Sequence, residues 1–315
     1  DAALTPQQTA NCLYQVDDTV YAGAMPLYRL IMKAADKTEL AFINSGTSTG
    51  AHPYPYYTGE TADQTFSHAR FNASFVSVDG TGTGMRYRVG VRNRGNGSRS
   101  RQPQGLNVMF PNEDPWNGAT QFNLNTQYTP WQVFGAVLFA QAGVPAPQSR
   151  AVQMRWNAVN PVGAGSPAYG FYACNEAWNS DLTDNRFPTD SSGNLYRGVR
   201  IFQGTTTGGT SIPNGADFAK IVPGASETKT LIQLYKLNYK KQTNTAEDVW
   251  TDLIGLTGAL AKGHSGAAYT DATTYDADYV SSVRAVADVE EWMRWFAVET
   301  MVDNSETNLS NGDGD

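Results

Sequence analysis

Arginines recur at regular spacing in one short stretch of the chain, Met85–Arg99, which reads MRYRVGVRNRGNGSR. Arg86, Arg88, Arg92 and Arg94 all occupy even positions, and mostly apolar residues separate them. Because alternate side chains of a β-strand share a face, the spacing predicts a strand with a row of guanidinium groups on one side. Guanidinium forks suit phosphate or carboxylate, so the strand predicts an anion site. A sheet edge protected by charge is the alternative.

A glycine-containing turn follows this strand and ends at another arginine. Gly95 and Gly97 permit tight turning within the segment RGNGSR, which closes on Arg99. Backbone amides in such a turn can form a concave anion site. The segment lacks the Gly-Lys-Ser/Thr ending of a P-loop, so it is not predicted to be one.

Oxygen-bearing side chains crowd the other end of the chain, where the sequence reads VDNSETNLSNGDGD. Carboxylate and amide oxygens are the ligands that hard divalent cations take. The spacing does not match an EF-hand loop with its final Glu. The stretch therefore predicts either a divalent-cation site or an ordinary acidic turn. The side chains in question are Asp303, Asn304, Glu306, Asn308, Asn311, Asp313 and Asp315.

A further candidate, Glu176, stands at the end of the apolar stretch YGFYACNE. A carboxylate at the end of a partly buried strand can pair with an arginine or orient a ligand. It can equally be the ordinary polar end of a strand, and the sequence leaves both interpretations open.

Charge is distributed unevenly along the 315 residues, whose formal net charge is −7. From Arg70 to Arg101 there are seven arginines and one acidic residue, whereas residues 271–315 hold eleven acidic residues and two arginines. The net negative charge argues against nucleic-acid binding. The two regions either face each other across a cleft or form separate solvated surfaces.

Other features bear on location and covalent chemistry. No apolar run reaches the roughly 20 residues of a membrane span. The two cysteines, Cys12 and Cys174, allow either a disulfide or two free thiols. The low charged fraction of 17% and a surface rich in Asn, Thr, Gly and Tyr favour an exported protein.

The elements that must position these residues follow the order strands, one helix, strands, then helices. The first helix is predicted over residues 131–142, and a later one is predicted to begin at a Thr245 cap. The order predicts an α+β class with two segregated layers or lobes, and residues 1–25 are expected to be a leader or linker. Five side chains of the first helix share a mainly apolar face: Val133, Phe134, Val137, Leu138 and Gln141.

Several pieces of the chain, taken in order, resemble the spore coat protein H (CotH-type) kinase-like family. The pieces are similar to that family's Arg-, Gly-, Asn- and Ser-containing strand and turn, its helix ending in Ala-Gly-Val-Pro-Ala-Pro, its strand ending in Glu, its Gly-Asn-Leu-Tyr turn, and its last helix before an acidic loop. The resemblance runs from about residue 27 to the end. The matching pieces read VGVRNRGNGSR, FNLNTQYTPWQVFGAVLFAQAGVPAPQSRAVQM, YGFYACNEAWN, SGNLYRG and VEEWMRWFAVETMVDNSE.

The resemblance implies an atypical protein-kinase-like two-lobed fold, with an N-lobe antiparallel sheet plus one helix and a mainly helical C-lobe. The N-lobe is expected over residues 26–176 and the C-lobe over residues 177–315. The resemblance further implies a secreted or cell-surface bacterial kinase. Such an enzyme transfers phosphate from ATP, with Mg²⁺ or Mn²⁺, to Ser or Thr of proteins at the cell or spore surface.

The resemblance also implies a role for each candidate residue. Asp303 or Glu306 is expected to orient the acceptor hydroxyl, and Glu176 to mark the hinge or a supporting ion pair. Three side chains are expected to help hold the metal: Asn308, Asp313 and Asp315. Three arginines are expected to neutralise the phosphates: Arg92, Arg94 and Arg99.

The chain departs from the family pattern at several places. Pro103 and Gln104 stand where the family often has two lysines, and the helix at 131–142 has no acidic residue. Glu306 replaces the Asp of the family's Asn-x-Asp loop, and a further metal-binding Asp is expected beyond residue 315. These departures keep a second hypothesis open, a non-catalytic surface or adhesion module with Ca²⁺ in its acidic loop. Carbohydrate binding through exposed Trp and Tyr is a third hypothesis, with no specific motif behind it.

Overall fold

The chain divides into two compact units in the computed structural model. The first comprises residues 1–137 and 147–177, and the second comprises residues 138–146 and 178–315. The residues that the structure describes are 13–14, 23–43, 68–80, 82–95, 102–161, 170–198, 205–212, 216–263 and 278–303.

Seven strands form the sheet of the first unit: β1 (Leu27–Met32), β2 (Phe71–Val78), β3 (Thr83–Asn93), β4 (Leu106–Met109), β5 (Gln121–Asn125), β6 (Ser149–Trp156) and β7 (Tyr172–Glu176). They close into a barrel in the order β1-β2-β3-β4-β5-β7-β6. Neighbouring strands are antiparallel except β1 and β6, which pair in parallel with Leu27 opposite Gln153. This parallel pair closes the sheet on itself.

Aromatic side chains fill the interior of the barrel. Along β5, buried Phe122 and Leu124 alternate with polar residues, so one face of the strand points inward. Pairs of interior rings have centroids 5.2 to 6.3 Å apart, many of them edge to face. Each such pair contributes about 0.5–1.5 kcal/mol beyond its buried area. The rings belong to Tyr28, Phe75, Phe110, Trp116 and Phe122.

The barrel shows that the predicted fold class is wrong. A two-lobed kinase-like fold requires an N-lobe antiparallel sheet and a mainly helical C-lobe, whereas this sheet is a closed barrel with a parallel pair. The second unit contains two two-stranded sheets as well as helices. Alternation in a sequence identifies the face that each side chain takes, but it does not identify which strands pair. The closing contact joins β1 to a strand far along the chain, and no local pattern specifies it.

The side chain of Arg150 points into the barrel. Arg150 and Cys174 lie opposite each other in register on β6 and β7, on the inner face. The Arg150 guanidinium lies 4.8 Å from the centroid of the Trp116 ring and donates a hydrogen bond to the Tyr28 hydroxyl. Burial raises the pKa of the Cys174 thiol to about 12, although the charge of Arg150 opposes the shift. Cys174 is therefore a protonated free thiol, and Cys12 lies outside the described residues.

Replacing Arg150 tests whether its ring contacts stabilise the barrel. We expect Arg150→Met to lower the free energy of unfolding in urea by about 1–3 kcal/mol, because a partly desolvated cation–π contact and a hydrogen bond are lost. Arg155→Met on the same strand is the matched control, since Arg155 donates to the carbonyl of the adjacent Met154. Equal losses in the two variants contradict a specific role for Arg150.

Two helices accompany the barrel: α1 (Ala34–Phe42) and α2 (Thr129–Gln141). Buried Asn93, at the end of β3, donates to the carbonyls of Leu40 at 2.7 Å and Ile43 at 3.0 Å. These bonds satisfy carbonyls that the last turn of α1 leaves without helical partners. The strand that carries the arginines therefore also fixes the end of α1.

The helix predicted over residues 131–142 is α2, which runs from Thr129 to Gln141, and its apolar face is partly exposed. Phe134 and Val137 are 59% and 47% exposed. Gln132 accepts hydrogen bonds from Asn125 and Asn175 of the barrel instead. The outer barrel face at this place carries the amides of Asn125 and Asn175, and the helix contacts them with its own amide.

The second unit combines short helices with short strands. Its described helices are α3 (Ser180–Arg186), α4 (Leu231–Asn238), α5 (Thr251–Leu260), α6 (Tyr279–Arg284) and α7 (Val289–Met301). Its described strands are β8 (Tyr196–Gly198), β9 (Thr205–Thr207), β10 (Thr210–Ile212) and β11 (Tyr239–Lys241), with β8 paired to β11 and β9 to β10. A small core contains Leu234, Tyr235, Tyr239, Trp250 and Leu253. In the described parts of both units, no helix is long and apolar enough to cross a membrane.

The helix that was predicted to begin at Thr245 begins at Thr251. The buried Lys241 amine donates to the carbonyls of Glu247 at 3.2 Å and Val249 at 3.1 Å. These carbonyls accept hydrogen bonds from the lysine, and helix α5 begins only after them. A side-chain contact from β11, six to eight residues away in the chain, therefore overrides the capping pattern.

The segment SGNLYRG is joined to α5 through one carboxylate. The Tyr196 hydroxyl donates to Asp252 at 2.6 Å, and the Asn194 amide donates to its other oxygen at 2.8 Å. Burial alone favours a higher pKa for Asp252, but these donors outweigh it and lower the pKa below its ordinary value. The ionised carboxylate therefore links β8 to the first turn of α5.

This link gives a pH-dependent stability. Because the folded pKa of Asp252 is lowered, its contribution is present above the unfolded value of about 3.9 and disappears as pH falls through the folded value. We expect Asp252→Asn to reduce the free energy of unfolding in urea at pH 7 by less than about 1 kcal/mol, since the group is partly solvated. The difference from wild type should vanish near pH 2. A difference that is constant with pH contradicts the ionised link.

Candidate functional site

A β-bulge divides the arginines of β3 into two groups. Ala73 of β2 pairs with Val89, but Phe75 pairs with Arg86, so β3 carries one more residue than β2 between these pairs. Arg88 has a positive φ of 57° at this point. The bulge reverses the alternation, because Arg86 shares a face with buried Phe75 and Val89 shares it with buried Ala73. The predicted single row of four guanidinium groups is therefore wrong.

The two arginines before Val89 are matched by carboxylates. Arg86 Nε lies 2.8 Å from Asp114 Oδ1 and donates to the carbonyl of Pro115. Arg88 Nη2 lies 3.6 Å from Glu113 Oε1. Both side chains therefore hold the loop after β4, and their charges are partly neutralised there.

Beyond the bulge, Arg92 lies on the outer face beside Arg70. The Arg70 side chain lies across Gly90, where an added Cβ would come within 3.0 Å of its Cδ, and Arg70 Nη1 donates to the Gly90 carbonyl at 3.3 Å. Burial and then the charge of Arg92 lower the pKa of Arg70 to about 10, so both remain cations at neutral pH. Arg92 Nη1 donates to the Asn93 carbonyl and lies 3.4 Å from Nδ1 of His68.

Arg94, two positions further on, is directed towards β5. Its backbone N–H donates to the carbonyl of Gly105 at 2.9 Å, and a Cβ added to Gly105 would lie 3.3 Å from Arg94 Cγ. Arg94 Nη1 then donates to Oδ1 of Asn125. The absence of a side chain at Gly105 thus lets the arginine pass close to the backbone. Arg70, Arg92 and Arg94 are called the arginine cluster below.

A row of polar residues continues from Arg92 across five strands. Strand register places the members directly opposite one another on the outer face of the barrel. Within the row, Asn107 Nδ2 donates to Asn123 Oδ1 at 2.9 Å, and Ser149 Oγ donates to Asn175 Oδ1 at 2.5 Å. The outer polar row consists of Arg92, Asn107, Asn123, Asn175 and Ser149.

Arg92 and Arg94 are predicted site residues, whereas the pattern of residue types does not single out Arg70 and the asparagines. The alternation of FNLN, with Asn123 and Asn125 between apolar residues, is a local signal for an outward amide face. The neighbours of each amide depend on register, which the local pattern does not contain.

The two positions where the family often has lysines lie next to this site. Gln104 is buried, and the carbonyl of Pro103 accepts a hydrogen bond from Thr126 Oγ1 at 2.9 Å. Pro103 therefore contacts the residue after β5, and neither residue adds charge to the arginine cluster.

Glu176, the last residue of β7, is hydrogen-bonded to the backbone of Gln148. Its Oε2 accepts from the N–H of Gln148 at 3.1 Å, and its own N–H donates to the Gln148 carbonyl at 2.9 Å. It pairs in register with Phe122, so its side chain starts on the inner face. The structure thus gives Glu176 a role in joining β7 to the segment before β6, and its predicted role towards a nucleotide stays a prediction.

The predicted catalytic and metal residues belong to the second unit. Asp303 is exposed, has a positive φ of 52° and follows the last turn of α7, where its N–H donates to the Thr300 carbonyl. In the described ranges, no group of His, Cys, Asp and Glu side chains could hold a metal ion. The other predicted site residues lie outside the described residues: Arg99, Glu306, Asn308, Asp313 and Asp315.

Comparison with known families identifies the chain. The sequence profile described as CotH kinase protein matches residues 91–312, a span that includes Arg92, Arg94 and Asp303. No curated protein matches the chain. The resemblance found in the sequence is thereby confirmed. Since the profile covers more than half of the 315 residues, the chain belongs to the CotH kinase protein family.

Proposed function

We propose that this chain is an ATP-dependent phosphotransferase that binds the nucleotide phosphates at the arginine cluster. The observation that carries the proposal is the placement of Arg70 beside Arg92, where each charge raises the free energy of the other. A bound polyanion relieves this repulsion and accepts hydrogen bonds from both guanidinium forks. Because the chain belongs to a kinase family, nucleotide phosphate is the anion that we expect to bind there.

The chemistry of phosphoryl transfer fits such a cluster. The acceptor oxygen forms a bond to the γ-phosphorus while the bond from phosphorus to the bridging oxygen of ADP breaks. Catalysis depends mainly on positioning and on positive charge around the phosphates. Arg70, Arg92 and Arg94 supply that charge in this proposal, and Arg99 is a further contributor that the family resemblance implies.

The acceptor proton needs a carboxylate, and the phosphates need a divalent cation. The proposal gives the first role to Asp303 or Glu306, which takes up the hydroxyl proton as the new bond forms. It gives Mg²⁺ or Mn²⁺ the oxygen ligands of Asn308, Asp313 and Asp315, since hard divalent cations take carboxylate and amide oxygens. The acceptors are Ser or Thr hydroxyls of bacterial cell- or spore-surface proteins, and the chain acts outside the cell.

The proposed phosphate site can be tested with two matched variants of one strand. We expect Arg92→Gln to weaken ATP binding in the presence of Mn²⁺ by about tenfold or more, because a charge-assisted contact worth about 1.5–3 kcal/mol is lost. Arg88→Gln should leave the affinity within about twofold, because Arg88 is paired with Glu113. Isothermal titration calorimetry measures both, and equal effects would mean that the cluster has no special role.

If Asp303 or Glu306 orients the acceptor hydroxyl, removing its charge should reduce phosphate transfer while ATP affinity stays nearly the same. We expect Asp303→Asn, Glu306→Gln or both to reduce phosphate transfer from labelled ATP by about 100-fold or more, with ATP affinity changed less than about threefold. Asn tolerates the positive φ of Asp303, so the backbone should be unchanged. Full transfer in the double variant contradicts these roles.

The same assays separate the enzyme from the alternative hypothesis. A surface or adhesion module with Ca²⁺ in its acidic loop should be stabilised by Ca²⁺ alone and should show neither transfer nor a thermal shift with ATP. That result would overturn the proposed function.

A further inference from the structure

A series of hydrogen-bonded neutral amides leads from the arginine cluster to helix α2. Asn125 Oδ1 accepts from Arg94 Nη1, and Asn125 Nδ2 donates to Gln132 Oε1 at 2.7 Å. Asn175 Nδ2 donates to the same oxygen at 2.6 Å, and Gln132 Nε2 donates to the Gln127 carbonyl at 2.6 Å. The Gln132 amide therefore uses its oxygen twice and its nitrogen once.

The pattern of donors fixes the orientation of the side-chain amides of Asn125, Gln132 and Asn175. Arg94 can only donate, so the oxygen of Asn125 must face it and the NH₂ group must face Gln132. The carbonyl of Gln127 can only accept, so the NH₂ group of Gln132 must face it. Reversing Gln132 would place its NH₂ group against two other NH₂ groups. Arg94 and a backbone carbonyl thus determine one arrangement between them.

We propose that Gln132 is a positioning residue for the anion site and that it acts on Arg94 through Asn125. This assignment rests on the proposed function. Helix α2 has no charged residue, so its contribution to the site comes from hydrogen bonding. An unrestrained arginine loses side-chain freedom when it binds an anion, and this loss weakens the affinity. Holding Arg94 in place beforehand removes part of that loss.

Gln132 also couples the site to two elements that do not touch the anion. Asn175 belongs to β7 and to the outer polar row, and it is itself held by Ser149. Gln127 lies in the turn that leads into α2. The side chain of Gln132 therefore transmits the position of β7 and of the helix entry to Arg94.

A double-mutant cycle tests the assignment with inorganic tripolyphosphate as probe, in the full chain and without metal. We expect Gln132→Leu to weaken binding about 3- to 10-fold, which corresponds to the cost of ordering one side chain. In an Arg94→Gln background the same substitution should have no further effect, because a residue that acts through Arg94 has nothing left to position. Gln141→Leu, on the same helix, is the matched control and should leave affinity unchanged.

Each result of the cycle decides the assignment. A full Gln132→Leu effect in the Arg94→Gln background, or none in the wild-type background, overturns it while the proposed function stands. Absence of tripolyphosphate binding by the wild type overturns the arginine cluster as a phosphate site, and the role of Gln132 with it. If Gln132→Leu does not fold by circular dichroism, Gln132→Met serves in its place, because its flexible side chain has similar length and lacks the amide.

Discussion

The extra residue that β3 carries at Arg88 reverses which of its side chains point into the barrel. Before the bulge, Arg86 lies on the face of Phe75 and meets a carboxylate. After it, alternate valines complete the core, and Arg92 takes the outer face beside Arg70. A strand with regular alternation would place all its arginines on one side. The bulge therefore separates arginines that contact carboxylates of the loop after β4 from the arginines to which we assign phosphate binding.

Closure of the barrel explains why the outer face can carry so many polar groups. Apolar side chains from all seven strands fill the interior, and α2 contacts the outer face through the Gln132 amide. Amides can then pair across strands in register and receive Gln132 from the helix. Apolar side chains of α2 that point away from the barrel, including Phe134, are exposed. The outer polar row and the arginine cluster thus lie on the same outer face of the closed barrel.

Local features of this fold were predictable from sequence, and long-range ones were not. The arginine strand and the extent of α2 follow from alternation and from capping, which involve near neighbours. The parallel pairing that closes the barrel involves residues distant in sequence. Within the site, Arg92 was identifiable by residue type. Arg70 and Gln132 were not, because their roles depend on which strands lie side by side.

The central claim is that nucleotide phosphates bind to Arg70, Arg92 and Arg94 and to none of the arginines before the bulge. A titration of the ¹⁵N-labelled chain with ATP, followed through the arginine Nε–Hε resonances, tests it most directly. The account predicts that the resonances of the arginine cluster shift saturably, while those of Arg86 and Arg88 stay in place. Shifts confined to Arg86 and Arg88, or no shift at all, would contradict it.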